Sequence, residues 1–396
     1  MVSLHNRRAT SDPRRVLNLP DNLSTKEFLS GCWQKKPLFM PQALGRIRPA
    51  VTRNEIGWLA TLEDVESRIV FVERGANSLH YRAKSGPFET QYLQGLPKRD
   101  WTLLVHDVEK HLPAMRALFA HVSFIPDWRI DDLMVSFAAP GGGVGPHRDQ
   151  YDVFLCQGTG IRNWQFTTAN VASNSAASSD LALLHEFVGD ESHDAAAGDV
   201  LYLPPGVAHW GTATRACITY SIGMRAPQIS DLMQTLAGSI EGNDAFYADP
   251  DLEIAEARPG YLSAAATRRA RLLLSISDNN SVDLPVILGR FVTQTKEWLT
   301  PDGVDELEVD DVIGDIAAAG GLVVHGMARI AFDDRNIYLN GRHLRADPET
   351  VSVAARICAS RGLQKDDLVS MRGSDCGIEL LKWLLMHGAF DLNGDK

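Results

Sequence analysis

Gly143-Val144-Gly145-Pro146-His147-Arg148-Asp149-Gln150-Tyr151 sets an imidazole and a carboxylate two positions apart, directly after a glycine-rich turn. In a strand, side chains at i and i+2 share a face, so His147 and Asp149 would converge on one point. A third donor comes from Gly198-Asp199-Val200-Leu201-Tyr202-Leu203-Pro204-Pro205-Gly206-Val207-Ala208-His209. This is a turn, an apolar strand, a tight Pro-Pro-Gly turn, and a histidine entering the next strand. Two histidines and one carboxylate make the facial triad of non-haem Fe(II) oxygenases, which leaves coordination positions open for a cosubstrate and oxygen. The bland alternatives are a turn histidine capped by Asp149 and a core histidine beside Trp210. Neither explains why both histidines follow Gly/Pro turns that aim strands into one mouth.

The surroundings have the same character. Leu133 to Phe137, Tyr151 to Cys156, Asn163 to Thr167, Val200 to Leu203 and Cys217 to Ile222 are short runs rich in β-branched and aromatic residues. Pro140-Gly141-Gly142-Gly143, Gly158-Thr159-Gly160 and Pro204-Pro205-Gly206 punctuate them. Short strands so punctuated indicate a sandwich or barrel. In Ile161 to Phe166, the positions Arg162, Trp164 and Phe166 share a face, and the two aromatics mark it as inward. An arginine there is costly unless an anion joins it. It suits the far carboxylate of 2-oxoglutarate, with an ion pair to Asp152 as the alternative and Arg215 and Arg225 as weaker competitors.

Composition narrows the classes. The chain has 396 residues, enough for two to three domains. Lys plus Arg number 39 against 50 Asp plus Glu, a formal net charge of -11, which argues against a general nucleic-acid binder and suits a basic partner. No apolar run is long enough for a membrane span, and Met1 to Arg15 is polar with no apolar segment after it, so no secretory leader is expected. The five cysteines, Cys32, Cys156, Cys217, Cys358 and Cys376, show no paired spacing and read as reduced thiols of a cytoplasmic protein.

Four segments are expected: a flexible arm over 1–18, a mainly β core with helices over 19–227, a helical region over 228–300, and a C-terminal module over 301–396. Ser24-Thr25-Lys26-Glu27 has the form of a capping box, Ile69 to Val72 a strand core, and Val108 to Phe119 a helix interrupted at Pro113. Ala172 to Asp180 reads as a small polar loop. Ile229 to Ile240 and Ala264 to Ser275 carry helical spacing. Strands at Leu322 to His325, Ile330 to Phe332 and Ile337 to Leu339, then helices at Val351 to Ser360 and Ile378 to His387, are compatible with a winged helix.

These motifs resemble the JmjC family of Fe(II)/2-oxoglutarate oxygenases within the cupin superfamily, in particular the bacterial ribosomal-protein arginine hydroxylases. Cys32-Trp33-Gln34-Lys35-Lys36-Pro37-Leu38, Gln150-Tyr151-Asp152-Val153-Phe154 and Tyr220-Ser221-Ile222-Gly223-Met224-Arg225-Ala226-Pro227 carry the resemblance further along the chain. It implies a double-stranded β-helix (jelly roll) followed by a helical dimerisation region and a winged-helix-like domain. It implies His147, Asp149 and His209 as iron ligands and Arg162 as the residue for the 2-oxoglutarate C5 carboxylate. An assisting hydroxyl is not placed, because Ser136-Phe137-Ala138-Ala139 has alanine at one plausible position. It further implies Asp132, Met134, Tyr151, Ser221 and Met224 around the target side chain. Ordinary core or rim is the competing reading for each of these five.

The expected function is therefore a protein hydroxylase using Fe(II), 2-oxoglutarate and O2 on an arginine of a basic large-subunit ribosomal protein, working as a homodimer. Two other readings stay open. One is a non-catalytic cupin-like scaffold that binds ribosome or nucleic acid, although acidic residues are mixed among the arginines of 320–396. The other is a JmjC oxygenase with a different target, such as a histidine hydroxylase or a lysine demethylase.

Overall fold

The computed structural model describes residues 16–44, 47, 50–75, 78–169, 183–184, 186–228, 230–234, 284–316 and 321–392. Most of the expected N-terminal arm, the polar loop at 172–180 and the whole helix expected at 264–275 lie outside them, while of the helix expected at 229–240 residues 230–234 are described and helical. The chain divides into two compact units, one running to Ala226 and one from Pro227 to Leu392.

The first unit is built on strands β1 (Leu38–Met40), β2 (Ser67–Arg74), β3 (Leu79–Ser85), β4 (Trp101–Val105), β5 (Ile130–Ala138), β6 (His147–Arg148), β7 (Val153–Thr159), β8 (Ile161–Thr167), β9 (Glu191–Ala196), β10 (Val200–Leu203), β11 (Ala208–Ala213) and β12 (Cys217–Met224). They form an eight-stranded sheet, β1-β10-β7-β12-β5-β4-β2-β3, and a four-stranded sheet, β6-β11-β8-β9. Each pairing is antiparallel. The chain crosses between the sheets at β5–β6, β6–β7, β7–β8, β9–β10, β10–β11 and β11–β12, the interleaving of a jelly roll. The expected double-stranded β-helix is borne out.

Alternation along the strands makes two cores. Val153 and Leu155 of β7, Leu201 and Leu203 of β10, Trp164 and Phe166 of β8, and Ala195 of β9 fill the space between the sheets. The other face of the large sheet, with Leu133, Val135, Phe154, Tyr202, Tyr220, Ile222 and Met224, packs against N-terminal helical segments through Phe28, Ile56, Leu59, Met115 and Leu118. Ser24 caps the helix Thr25–Gly31 by the expected reciprocal box with Glu27. Val108 to Phe119 is a short α-turn, Val108–His111, followed by a 3-10 stretch, Pro113–Val122, because Pro113 lacks the N–H that a continuous helix needs.

The second unit carries strands β13 (Gly321–Val324), β14 (Ile330–Phe332), β15 (Asn336–Leu339), β16 (Arg342–Arg345), β17 (Gly362–Gln364) and β18 (Phe390–Asp391), in sheets β17-β13-β18 and β14-β15-β16. Helices Leu284–Thr293, Val309–Ile316, Pro348–Ser360, Lys365–Arg372 and Asp375–Met386 accompany them among the described residues. Asp347 caps Pro348–Ser360 and Ser374 caps Asp375–Met386, accepting from the Thr350 and Gly377 N–H groups. Ile337, Leu339, Ile357, Leu363, Leu381 and Leu384 form its core. Among the described residues no helix is long and apolar enough to cross a membrane.

Candidate metal centre and active site

β6 and β11 run side by side with His147 directly opposite His209. Their rings lie 4.2 Å apart at 56°. Gly145, at φ 84, makes the turn into β6, and a Cβ there would meet Leu183 and Tyr81 at 2.8 and 3.1 Å. Asp149 lies just beyond β6, which ends at Arg148, so strand alternation is not what brings it in. The turn before β11 does so instead: the N–H of Gly206 donates to the Asp149 carbonyl at 2.7 Å. Asp149 then sets Oδ1 3.8 Å from His147 Nε2 and Oδ2 3.6 Å from His209 Nε2. One potential ligand atom from each residue lies within 4.8 Å of the others. The segments singled out in the sequence thus meet at one point.

The histidines are oriented for metal binding. Each Nδ1 pairs with the carbonyl of the residue two before it: Gly145 at 2.9 Å for His147 and Val207 at 3.0 Å for His209. A proton on Nδ1 leaves Nε2 as a lone pair facing Asp149. Burial, reinforced by His147 and opposed by Asp149, lowers the His209 pKa to about 4. The neutral imidazole that a metal requires is therefore the resting form. The His209 side chain is 3% exposed, while His147 and Asp149 are 23% and 22% exposed, so the centre is closed on one side and open on the other.

Arg162 faces inward from β8, as the alternation required: Arg162, Trp164 and Phe166 are buried, whereas Ile161, Asn163 and Gln165 are half-buried. Its Cζ lies 5.4 Å from the Trp164 ring centroid. Nε and Nη2 are buried and make no hydrogen bond among the described residues. Asp152, the alternative partner, is committed to Tyr202 at 2.6 Å, Gln34 at 2.9 Å and Arg129 at 3.4 Å. Arg215 is exposed, and Arg225 pairs with Asp131 at 3.0 Å. A buried guanidinium with unused donors is the cradle that a carboxylate would complete. The residues present therefore fit both a divalent metal and 2-oxoglutarate.

Of the five residues expected around the target, Met134 and Ser221 are cross-strand neighbours, and Ser221 also pairs with Leu155, so they face the space between the sheets. Asp132 is half-buried, with His106 Nδ1 at 3.1 Å from its Oδ2. Tyr151 is 41% exposed. Burial and the carboxylates of Asp149, Asp132 and Asp131 push its hydroxyl pKa up. Met224 is placed differently: it is 1% exposed and belongs to the outer core with Tyr220 and Ile222. Strand alternation accounts for this, since Met224 is three positions from Ser221 and two from Ile222, and the register shift beside it adds its extra residue to β5. Two neighbours of this group, His106 and Gly223, were not singled out in the sequence. No local pattern marks them, since only the fold brings residue 106 against β5.

A jelly roll whose mouth gathers two histidines and an aspartate in front of a buried, unanswered arginine defines a JmjC-type oxygenase. Comparison with known proteins agrees: residues 117–232 match the model of a JmjC domain and residues 275–391 that of the ROXA-like winged helix. The chain is 32% identical over 333 residues to the ribosomal protein uL16 3-hydroxylase of Escherichia coli, covering 83% of this chain and 86% of that one. It is 34% identical over 244 residues to a probable ribosomal oxygenase of Haemophilus influenzae, covering 60% and 57%. The structure of the E. coli ribosomal oxygenase YcfD with cobalt and 2-oxoglutarate superposes with a TM-score of 0.79 at 28% identity, over 96% of this chain and 99% of that one. The chain belongs to the JmjC ribosomal oxygenase family.

Proposed function

We propose that this protein is an Fe(II)- and 2-oxoglutarate-dependent hydroxylase of a large-subunit ribosomal protein, acting on an arginine side chain. The observation that carries the reading is a pair of half-made sites on the small sheet, a metal triad and a buried guanidinium whose Nε and Nη2 find no hydrogen-bond partner among the described residues. The relative that acts on uL16 supports the substrate class.

In this reading His147, Asp149 and His209 hold the iron, and Arg162 receives the C5 carboxylate of 2-oxoglutarate. Bound iron and 2-oxoglutarate supply, with O2, the oxidising power that puts a hydroxyl on an unactivated C–H bond. The chain's own residues bind and orient. The Gly145 and Val207 carbonyls keep the Nε2 atoms turned toward Asp149. Trp164, lying beside Arg162, and Leu155, Leu201 and Phe166 exclude water from the far side of the centre. Asp132, Met134, Tyr151 and Ser221 form the wall that meets the target: a carboxylate for the guanidinium and flat apolar surface for its plane. Met224 supports that wall from behind. The net charge of -11 draws a basic ribosomal protein toward the mouth.

The oxygenase unit spans 19–227 in this proposal, the helical region 228–300 joins two copies as a homodimer, and the winged-helix-like part is 301–396. The protein works in the cytoplasm. The deciding experiment has two arms. Anaerobic addition of Fe(II) and 2-oxoglutarate should give a visible charge-transfer band. Aerobic incubation with purified uL16 should then add a single oxygen, mapped by mass spectrometry to an arginine. No band would return the protein to the scaffold reading, and oxygen on a histidine or loss of a lysine methyl group would replace the arginine target.

A further inference from the structure

Asp132 is held in one orientation by groups outside the proposed catalytic set. His106 Nδ1 lies 3.1 Å from Oδ2. The Asp107 N–H donates to the same oxygen at 3.4 Å, from a residue in the left-handed region at φ 54. Oδ1 accepts no hydrogen bond among the described residues. It looks onto Gly223, where a Cβ would come within 3.1 Å of Oδ1 and 4.0 Å of the Tyr151 ring. Tyr151 in turn lies close enough to Asp149 of the triad for that carboxylate to raise its hydroxyl pKa. A free carboxylate oxygen, a bare stretch of backbone and an aromatic ring thus lie together beside the metal centre.

From this geometry we propose that His106 and Gly223 select a flat cation over a compact one. His106 is a positioning residue: it fixes Oδ2 so that Oδ1 is the acceptor presented to substrate. Gly223 is the opening: it leaves the width of one methyl group between Oδ1 and Tyr151, through which a planar guanidinium passes edge-on. A lysine ammonium carries its charge as a point and needs no such slot. The inference rests on the arginine reading above and adds the two residues that would enforce it.

The test is the affinity of the enzyme, loaded anaerobically with Fe(II) and 2-oxoglutarate, for the uL16 peptide carrying the modified arginine and for the same peptide with lysine there. The unmodified enzyme should prefer arginine by at least about tenfold, the scale of one hydrogen bond to a charged group. His106→Leu should lose most of that preference. His106→Asn, which keeps a side-chain N–H near the same place, should restore it to within about threefold. Gly223→Ala should weaken the arginine peptide by about tenfold or more and leave the lysine peptide little changed. The charge-transfer band should be alike in all four proteins, which checks that each is folded and loaded. Full preference in His106→Leu, no recovery in His106→Asn, or equal weakening of both peptides in Gly223→Ala would each overturn the proposal. Failure of the unmodified enzyme to prefer arginine, or to modify any uL16 arginine, would instead remove the arginine reading, and this inference with it, before any variant is compared.

Discussion

The hydroxyl of Tyr202 donates to Oδ1 of Asp152 at 2.6 Å while accepting the Gln34 N–H at 2.7 Å, and both Tyr202 and Asp152 are fully buried. Gln34 Nε2 donates to the other carboxylate oxygen at 2.9 Å. The Cys32-to-Leu38 stretch is thereby tied to β10 and to the residue that leads into β7. Removing the hydroxyl leaves a buried carboxylate short of a donor. Tyr202→Phe should lower stability by roughly 1–3 kcal/mol in urea unfolding. The Fe(II)/2-oxoglutarate absorption band should survive, because no metal-site atom is lost.

Arg162 makes the opposite prediction. Its cation is buried at a cost, with Nε and Nη2 making no hydrogen bond among the described residues. Arg162→Met should leave the free protein as stable as before, or more so. The rise in Tm that 2-oxoglutarate gives the metal-loaded protein should disappear, since stabilisation by a ligand needs differential binding to the folded state. Thermal melts with and without 2-oxoglutarate check both halves. A full ligand-induced rise in the variant would show that the carboxylate is held elsewhere.

Replacing His147 or Asp149 by alanine should abolish both the charge-transfer band and hydroxylated product. Both side chains are partly exposed, so circular dichroism and the melting temperature should change little. Product formation at the unmodified rate would refute the ligand assignment.

Glu109 gives a pH dependence with a definite sign. It is 2% exposed and accepts the Leu133 N–H at 3.0 Å. Burial, partly offset by Lys110 and reinforced by Asp132, raises its pKa to about 7. An unfolded glutamate titrates near ~4.3. Between these values the folded state holds a proton that the unfolded state has lost. Stability should therefore fall as pH rises through that window and level off above the folded value. Glu109→Gln keeps an acceptor for Leu133 and cannot ionise. It should match the unmodified protein near pH 5, exceed it near pH 8 by on the order of a few kcal/mol, and flatten the profile between. Parallel pH-dependent urea curves for the two proteins would reveal it.

Much of the first unit was legible in the sequence because its central strands bury at least one face and are closed by Gly/Pro turns. Val200 to Leu203 matches β10 residue for residue, and the inward face of Arg162, Trp164 and Phe166 followed from period-two alternation. β4, Trp101–Val105, escaped although every residue is buried, because a wholly buried strand shows no alternation, and so did strands with little burial to enforce a pattern. β3, Leu-His-Tyr-Arg-Ala-Lys-Ser, is mostly exposed at one edge of the large sheet, and β9, Glu-Ser-His-Asp-Ala-Ala, lies at one edge of the small one. The meeting of His147, Asp149 and His209 was foreseen for a partly mistaken reason: Asp149 is brought in by a hydrogen bond to the Gly206 turn rather than by strand alternation. Met224 was placed beside Ser221 by the family resemblance, but the two lie three positions apart in β12, and strand alternation turns Met224 to the outer core with Tyr220 and Ile222.

Both imidazoles take their bearings from main-chain oxygens rather than from partner side chains. A carbonyl is the one acceptor that no point substitution can delete. The tilt of the two rings is therefore inherited from the path of the polypeptide. The outer surface of the barrel and the rim of its mouth are free to diverge, and to meet different clients, while the chemistry beneath keeps its aim.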